Sequence, residues 1–388
     1  MTQANQHHSL PTPPVRNLKL DWLRGYFMVI ITINHLRLAG NEWLRPFTGG
    51  DQLWVSAAAG FVLIAGIVLV IVYDHTLAQR GFPKGTQKAL RRAAQLYLIT
   101  VIGHLILASG DYLLHLWYGR PTSVPLNYFH LLQGAVFQTR YPYPSLDLLP
   151  LYVVLLPIGL LAVSALQHGK WRTVAFLSIF AWAIRQSDMQ ALRIFPYGFQ
   201  SGSWQLLFVA GVFVGFYRDR LQQWWQAHPV VQPWLATGLL TLTGTLLFIN
   251  YQVAFHDWFE TIPMLEKNSI LFNKPDLGLG RALMGMLTFA AFYTAVTLAW
   301  RPFNTLLGWL FIPLGQNSLT AYVGQALISY VVMRLPGWPF GNLSPAAQAG
   351  VSITAVLLLW LLIRAAAALY PTLKIRKRRL TMPSSRSA

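Results

Sequence analysis

Of 388 residues, 54% are hydrophobic and only 11% are charged, less than half of the roughly 25% that covers a soluble domain. The solvent of this chain is therefore mostly lipid, and a soluble globular enzyme is excluded. Cysteine is absent, which removes disulfide frameworks and thiolate metal sites, and the net charge of +18 is accounted for by topology and not by a nucleic-acid partner.

Residues 1–19 form a polar, proline-rich tail without a signal-peptide pattern. The first apolar segment carries Asp21, Arg24 and His35, which a cleaved apolar core does not hold, so it reads as a retained helix. A bilayer core about 30 Å thick needs roughly 20 apolar residues per helix. Ten runs meet that need: 20–38, 53–73, 93–115, 146–166, 171–187, 203–217, 231–252, 277–300, 310–333 and 348–370. They are long and continuous, not alternating, so the expected fold is an all-α integral membrane bundle of about ten helices and not a barrel. Residues 20–370 form this transmembrane domain, and 371–388 form a basic tail.

Orientation follows from lysine and arginine. With the N-terminus inside, the inner segments hold eighteen basic residues, among them Lys84, Lys88, Arg91, Arg92 and the run Lys374 to Arg379, against three acids. The outer segments hold ten basic residues and nine acids. Both termini are therefore expected in the cytoplasm.

Ionisable groups inside apolar segments are costly unless paired or functional. Arg24 and His35 are eleven residues apart on one helix, which brings them within about 20° of the same face and roughly 16 Å apart along the axis. Asp21 lies one turn before Arg24 and can pair with it. An inner cation can hold an anionic donor, while a histidine on the far side of the midplane can take a proton from a hydroxyl near neutral pH. The same residues also suit a head-group anchor and an inter-helix hydrogen bond. His104 reads as a packing hydrogen bond, and Gly211 and Gly215 read as a site of close helix packing. Gln316, Asn317 and Ser318 interrupt the ninth run, where Gly315 can loosen the helix; they either line a cavity or join helices. In the loop 116–145, Tyr128, His130, Gln133, Tyr141 and Tyr143 are either ordinary surface or a place for a polar substrate. Lys84, Lys88, Arg91 and Arg92 serve topology or bind phosphates. There is no Walker loop, H-E-x-x-H, G-x-S-x-G or dinucleotide fingerprint.

The segment Leu20-Asp21-Trp22-Leu23-Arg24-Gly25 followed by Asn34-His35 resembles the opening of OpgC-type membrane proteins, relatives of acyltransferase family 3. Further similar stretches follow in order: Ser56 to Gly66, Arg91 to Tyr97, Leu146 to Tyr152, the Trp204-Gln205-Leu206-Leu207-Phe208 motif, Lys274 with Leu277-Gly278 and Arg281, and Leu314 to Leu319. Two departures stand out. Where the family commonly carries a Glu and a Ser-Gly pair, this chain has Ala59 and Ala65-Gly66. The resemblance implies acyl transfer from cytoplasmic acyl-CoA, such as succinyl-CoA, to a hydroxyl of a periplasmic or envelope glycan, in the inner membrane and without a permanently bound cofactor. It implies His35 as general base with Arg24 and Asp21 beside it in the catalytic set. Arg24, Lys84, Lys88, Arg91 and Arg92 would hold the donor. Asp147, Tyr152, Trp204, Gln205, Lys274, Arg281, Gln316, Asn317 and Ser318 would bind substrate. A transporter or flippase of a glycan or lipid-linked intermediate, and a non-catalytic envelope assembly subunit, are the rival readings.

Overall fold

The computed structural model describes residues 16–38, 43–49, 52–119, 128–137, 143–188, 192, 194, 198–256, 262–336 and 338–380. The tail 1–15, Tyr141 and 381–388 lie outside the described residues, as do the side chains of Tyr128 and of 370–380. The helices are α1 Leu18–His35, α2 Arg45–Thr48, α3 Ala57–Tyr118, α4 Tyr128–Phe137, α5 Leu148–Gln167, α6 Trp171–Ser187 and α7 Ser201–Phe216. They continue as α8 Arg218–Ala227, α9 Val231–Phe255, α10 Leu279–Leu298, α11 Trp300–Gln316, α12 Ser318–Val332 and α13 Pro345–Leu380. The fold is all-α, with no strand among the described residues. Among the described residues, five helices are long and apolar enough to cross a membrane: α3, α5, α9, α10 and α13.

The second and third apolar runs are the two arms of α3. Its 62 residues are broken at Gly81, whose φ of 74° and ψ of 169° leave the helical region, a conformation that glycine reaches without a Cβ clash. Pro83 lacks an N–H and crowds the preceding turn, which fixes the break there. The arms fold back on each other: Lys88 Nζ donates to the Val72 carbonyl at 3.2 Å and sits 5.0 Å from the centre of the Tyr73 ring. The expected inner segment 74–92 is thus helical on both sides of one sharp turn.

The chain divides into two compact units, Met1–Leu20 with Asp51–Trp300 and Asp21–Gly50 with Arg301–Ala388. In the first, α3, α5 and α7 form the centre. Gly66 of α3 and Gly211 of α7 let two backbones meet. A Cβ added at Gly66 would lie 2.1 Å from the Phe208 carbonyl oxygen, and one at Gly211 would lie 2.1 Å from that of Leu63. Gly215 rests on Ile67 in the same seam, so the close packing expected of this glycine pair is present. Gly211→Leu is therefore expected to abolish folded protein, because rigid backbone and not a movable side chain occupies the space. Gly238→Ala in α9, where nothing lies within 4 Å, should leave the yield unchanged. Size-exclusion recovery and thermal unfolding of the two variants check this contrast.

In the second unit the same device joins α1 to α11. A Cβ on Gly25 would stand 1.9 Å from the Phe311 carbonyl oxygen, and one on Gly315 would stand 1.8 Å from that of Asp21. Trp22 is buried against this crossing, with its ring edge-to-face on Phe311 at 4.7 Å and its Nε1 donating to the Phe303 carbonyl. Gly315 thus tightens the helix contact and does not loosen the helix. The break in the ninth run falls two residues later, at Asn317, where φ −113° and ψ 36° separate α11 from α12. Residues 301–309, expected between helices, belong to α11.

Candidate functional site

The second unit places the paired groups of α1 against α12. Arg24 and His35 are both half-buried, and Asp21 is buried in the first turn of the same helix. Arg24 Nη2 donates to Ser318 Oγ at 2.5 Å. His35 Nδ1 lies 3.0 Å from Gln325 Oε1. Ser318 and Gln325 are seven residues apart, hence within about 20° on one face of α12. The two hydrogen bonds are successive rungs between α1 and α12. His35 is the last residue of α1, so it stands at the helix end and not within a span continuing to residue 38. The chain leaves the helix at once, with Arg37 at φ 50° and the Leu36 carbonyl accepting from Trp338 Nε1 at 3.0 Å.

The trio at the α11–α12 break divides. Ser318 is buried and bonded to Arg24, whereas Gln316 and Asn317 are exposed at the turn. Asn317 Nδ2 donates back to the Pro313 carbonyl at 3.0 Å. Gln325 was not singled out from the sequence; its only signal was heptad spacing from Ser318.

In the first unit, the segment 271–278 gathers several of the expected residues. Trp204 is fully buried, and its Nε1 donates to the carbonyls of Lys274 at 3.2 Å and Pro275 at 3.1 Å. Arg281, 2% exposed, donates from Nε to the Phe272 carbonyl at 2.6 Å. Lys274 itself is half-buried. Gln205 engages Ser178, donating to its carbonyl at 2.7 Å and accepting from its hydroxyl at 2.8 Å. The polar atoms of Trp204 and Gln205 thus hold backbone and helix in place.

The reading from sequence missed three further clamps on this segment. Arg185 Nη2 pairs with Asp276 Oδ1 at 2.5 Å, Gln186 Nε2 donates to the Asp276 carbonyl at 2.7 Å, and Trp182 Nε1 donates to that of Leu277 at 2.9 Å. All three come from the last turns of α6. Their signal was an arginine at the end of an apolar run, which charge counting had absorbed as an outer-side residue.

Asp147 precedes α5 and is half-buried, its carboxyl about 3 Å from where a Cβ on Gly198 would sit. Tyr152 is half-buried on the second turn of α5. Lys84, Lys88, Arg91 and Arg92 are exposed on the second arm of α3. Lys88 is turned onto Val72 and Tyr73 of the first arm, which leaves the cluster less of a fan of charges than the sequence suggests. His130 and Gln133 are exposed on α4. Tyr143 donates to Asp111 Oδ2 at 2.9 Å and packs on His104, whose Nδ1 lies 2.9 Å from the Thr100 carbonyl oxygen. Among the described residues no cluster of His, Asp or Glu could hold a metal ion.

Among the described residues these features define an all-α chain with several helices long and apolar enough to cross a membrane, in which an arginine and a histidine of one apolar helix are held by polar side chains of another. The chain belongs to the OpgC protein family, whose sequence profile matches residues 16–370. Comparison with curated proteins and with solved structures gives no match.

Proposed function

We propose that this chain is a multi-pass inner-membrane O-acyltransferase, with about ten spans and both termini in the cytoplasm, that modifies a periplasmic or envelope glycan. Membership of the OpgC family supports glucan modification by an acyl group such as succinyl. The observation that carries the mechanism is the pair of rungs between α1 and α12, which hold Arg24 and His35 on one helix face.

In this reading the acyl-CoA donor comes from the cytoplasm. The Arg24 guanidinium of the second unit binds one of its anionic groups. Lys84, Lys88, Arg91 and Arg92 of the first unit are separate candidates for a phosphate contact. His35 removes the proton of a glycan hydroxyl as its oxygen attacks the thioester carbonyl. The carbon–sulfur bond breaks, coenzyme A leaves as a thiolate that takes up a proton, and an ester remains on the glycan. Within the first unit, Lys274 and Arg281 are candidates for a carboxylated acyl group and Asp147 and Tyr152 for a glycan; within the second, Gln316 and Asn317 are candidates for glycan contacts.

The test is transfer from succinyl-CoA and acetyl-CoA to purified glucan by the protein in lipid nanodiscs, with mass spectrometry of the product. Arg24→Lys keeps the charge but loses the two-pronged geometry of the guanidinium. It is expected to raise the apparent KM for acyl-CoA with a smaller effect on kcat. Identical donor KM and kcat in wild type and variant would remove the donor clamp. Movement of glucan across liposomes without acylation would favour a transporter.

A further inference from the structure

Gln325 is fully buried on α12, and its side-chain oxygen lies 3.0 Å from Nδ1 of His35. A carboxamide oxygen accepts and never donates. A hydrogen bond at this distance therefore places a proton on Nδ1 and leaves the lone pair of the neutral ring on Nε2. We infer that Gln325 is the positioning residue of His35: it selects the tautomer and holds the ring so that Nε2 is the basic atom. This deepens the reading of His35 as general base and rests on it.

The chemistry explains an amide at this position. A carboxylate would also accept from Nδ1, but it would bring a charge into a buried helix seam, where an ionised group is expensive. A carboxamide orients the ring without that charge. It also adds no anion at this position that would favour the protonated, non-basic form. An apolar side chain of similar length would let the ring turn and populate the form with its proton on Nε2, which cannot accept from a substrate hydroxyl. Ser318, seven residues earlier on the same face, does the corresponding work for Arg24. One helix therefore positions both groups of the pair.

Ser329 provides the internal control. It lies one turn beyond Gln325, is fully buried, and its hydroxyl has no hydrogen-bond partner among the described residues. The experiment compares Gln325→Leu and Ser329→Ala in the full chain in nanodiscs, reading acyl-transfer kinetics and the nitrogen-15 spectrum of His35, assigned by difference from His35→Gln. Gln325→Leu should lower kcat by at least about 10- to 100-fold, the loss seen when an outer partner orienting a metal-bound histidine is removed, with the acyl-CoA KM unchanged. Its spectrum should lose the single signature of a protonated Nδ1. Ser329→Ala should match wild type in both. Equal losses in the two variants, an unchanged kcat in Gln325→Leu, or a wild-type spectrum with the proton on Nε2 would overturn the assignment. Should wild type transfer no acyl group, the general-base reading fails on its own. The wild-type nitrogen spectrum, which needs no turnover and only the His35→Gln reference for its assignment, still decides whether Nδ1 carries the proton.

Discussion

Substituting His35 by alanine is expected to lower acyl transfer by about 10²–10⁴-fold, the usual contribution of a positioned general base. The protein should still be inserted and folded, because His35 is the last residue of α1 and half-buried, not part of the Gly25–Gly315 crossing that joins α1 to α11. The alanine variant does leave Gln325 without its imidazole partner. An unsatisfied buried polar group costs about 1–3 kcal/mol, so some loss of stability is expected and rates must be compared per folded molecule. His35→Gln separates the two effects. Its carboxamide can donate toward Gln325 but cannot act as a base near neutral pH, so stability should recover while transfer stays lost. A stable His35→Ala protein with wild-type turnover would end the histidine mechanism.

Much of the helical layout was legible because it depends on long apolar runs, and such runs need no tertiary information. Breaks were harder. A turn within segment 74–92 follows from Gly81, Pro83 and Gly85, but the charge of that segment concealed that it is helical on both sides of the break. By sequence Gly315 is a weak point, yet its backbone lies against Asp21 across a helix crossing and the interruption falls at Asn317. A glycine in an apolar helix has two opposite uses, and only the neighbouring backbone tells them apart.

Functional side chains divide in the same way. Arg24 and His35 stood out because charge in an apolar run is anomalous. Gln325 and Arg185 did not, because a lone glutamine resembles inter-helix packing and an arginine near a helix end resembles a topology signal. The departure at Ala59 also acquires a physical setting. A Cβ added to Gly285 of α10 would come within 3.1 Å of the Ala59 Cβ, so Ala59 faces α10 at a close crossing of α3 and α10.

Breaking the buried pair Arg185–Asp276 should strongly destabilise the first unit. Their side chains are 4% and 13% exposed, and the remaining contact from Arg185 Nη1 to the Asp188 carbonyl is long, at 3.4 Å. Asp276→Ala strands the guanidinium away from water, and breaking a buried pair in this way costs about 3–5 kcal/mol. The loss should not remain local, because Asp276 belongs to the segment that Trp204 holds through the carbonyls of Lys274 and Pro275. With one of its three ties to α6 removed, that segment should place Lys274 less well. Where the variant folds, its KM for a carboxylated acyl donor should rise more than that for an acetyl donor. Arg185→Met combined with Asp276→Ala removes both charges, and much of the lost stability should return, since an apolar replacement of a buried pair is often close to neutral. Thermal unfolding of the two single variants and the double in nanodiscs gives the coupling directly. A double variant whose loss equals the sum of the singles would show that the ion pair does not tie α6 to the segment 271–278. Recovered stability with equal KM values for the two donors would show that the tie is real but that Lys274 does not read the carboxylate.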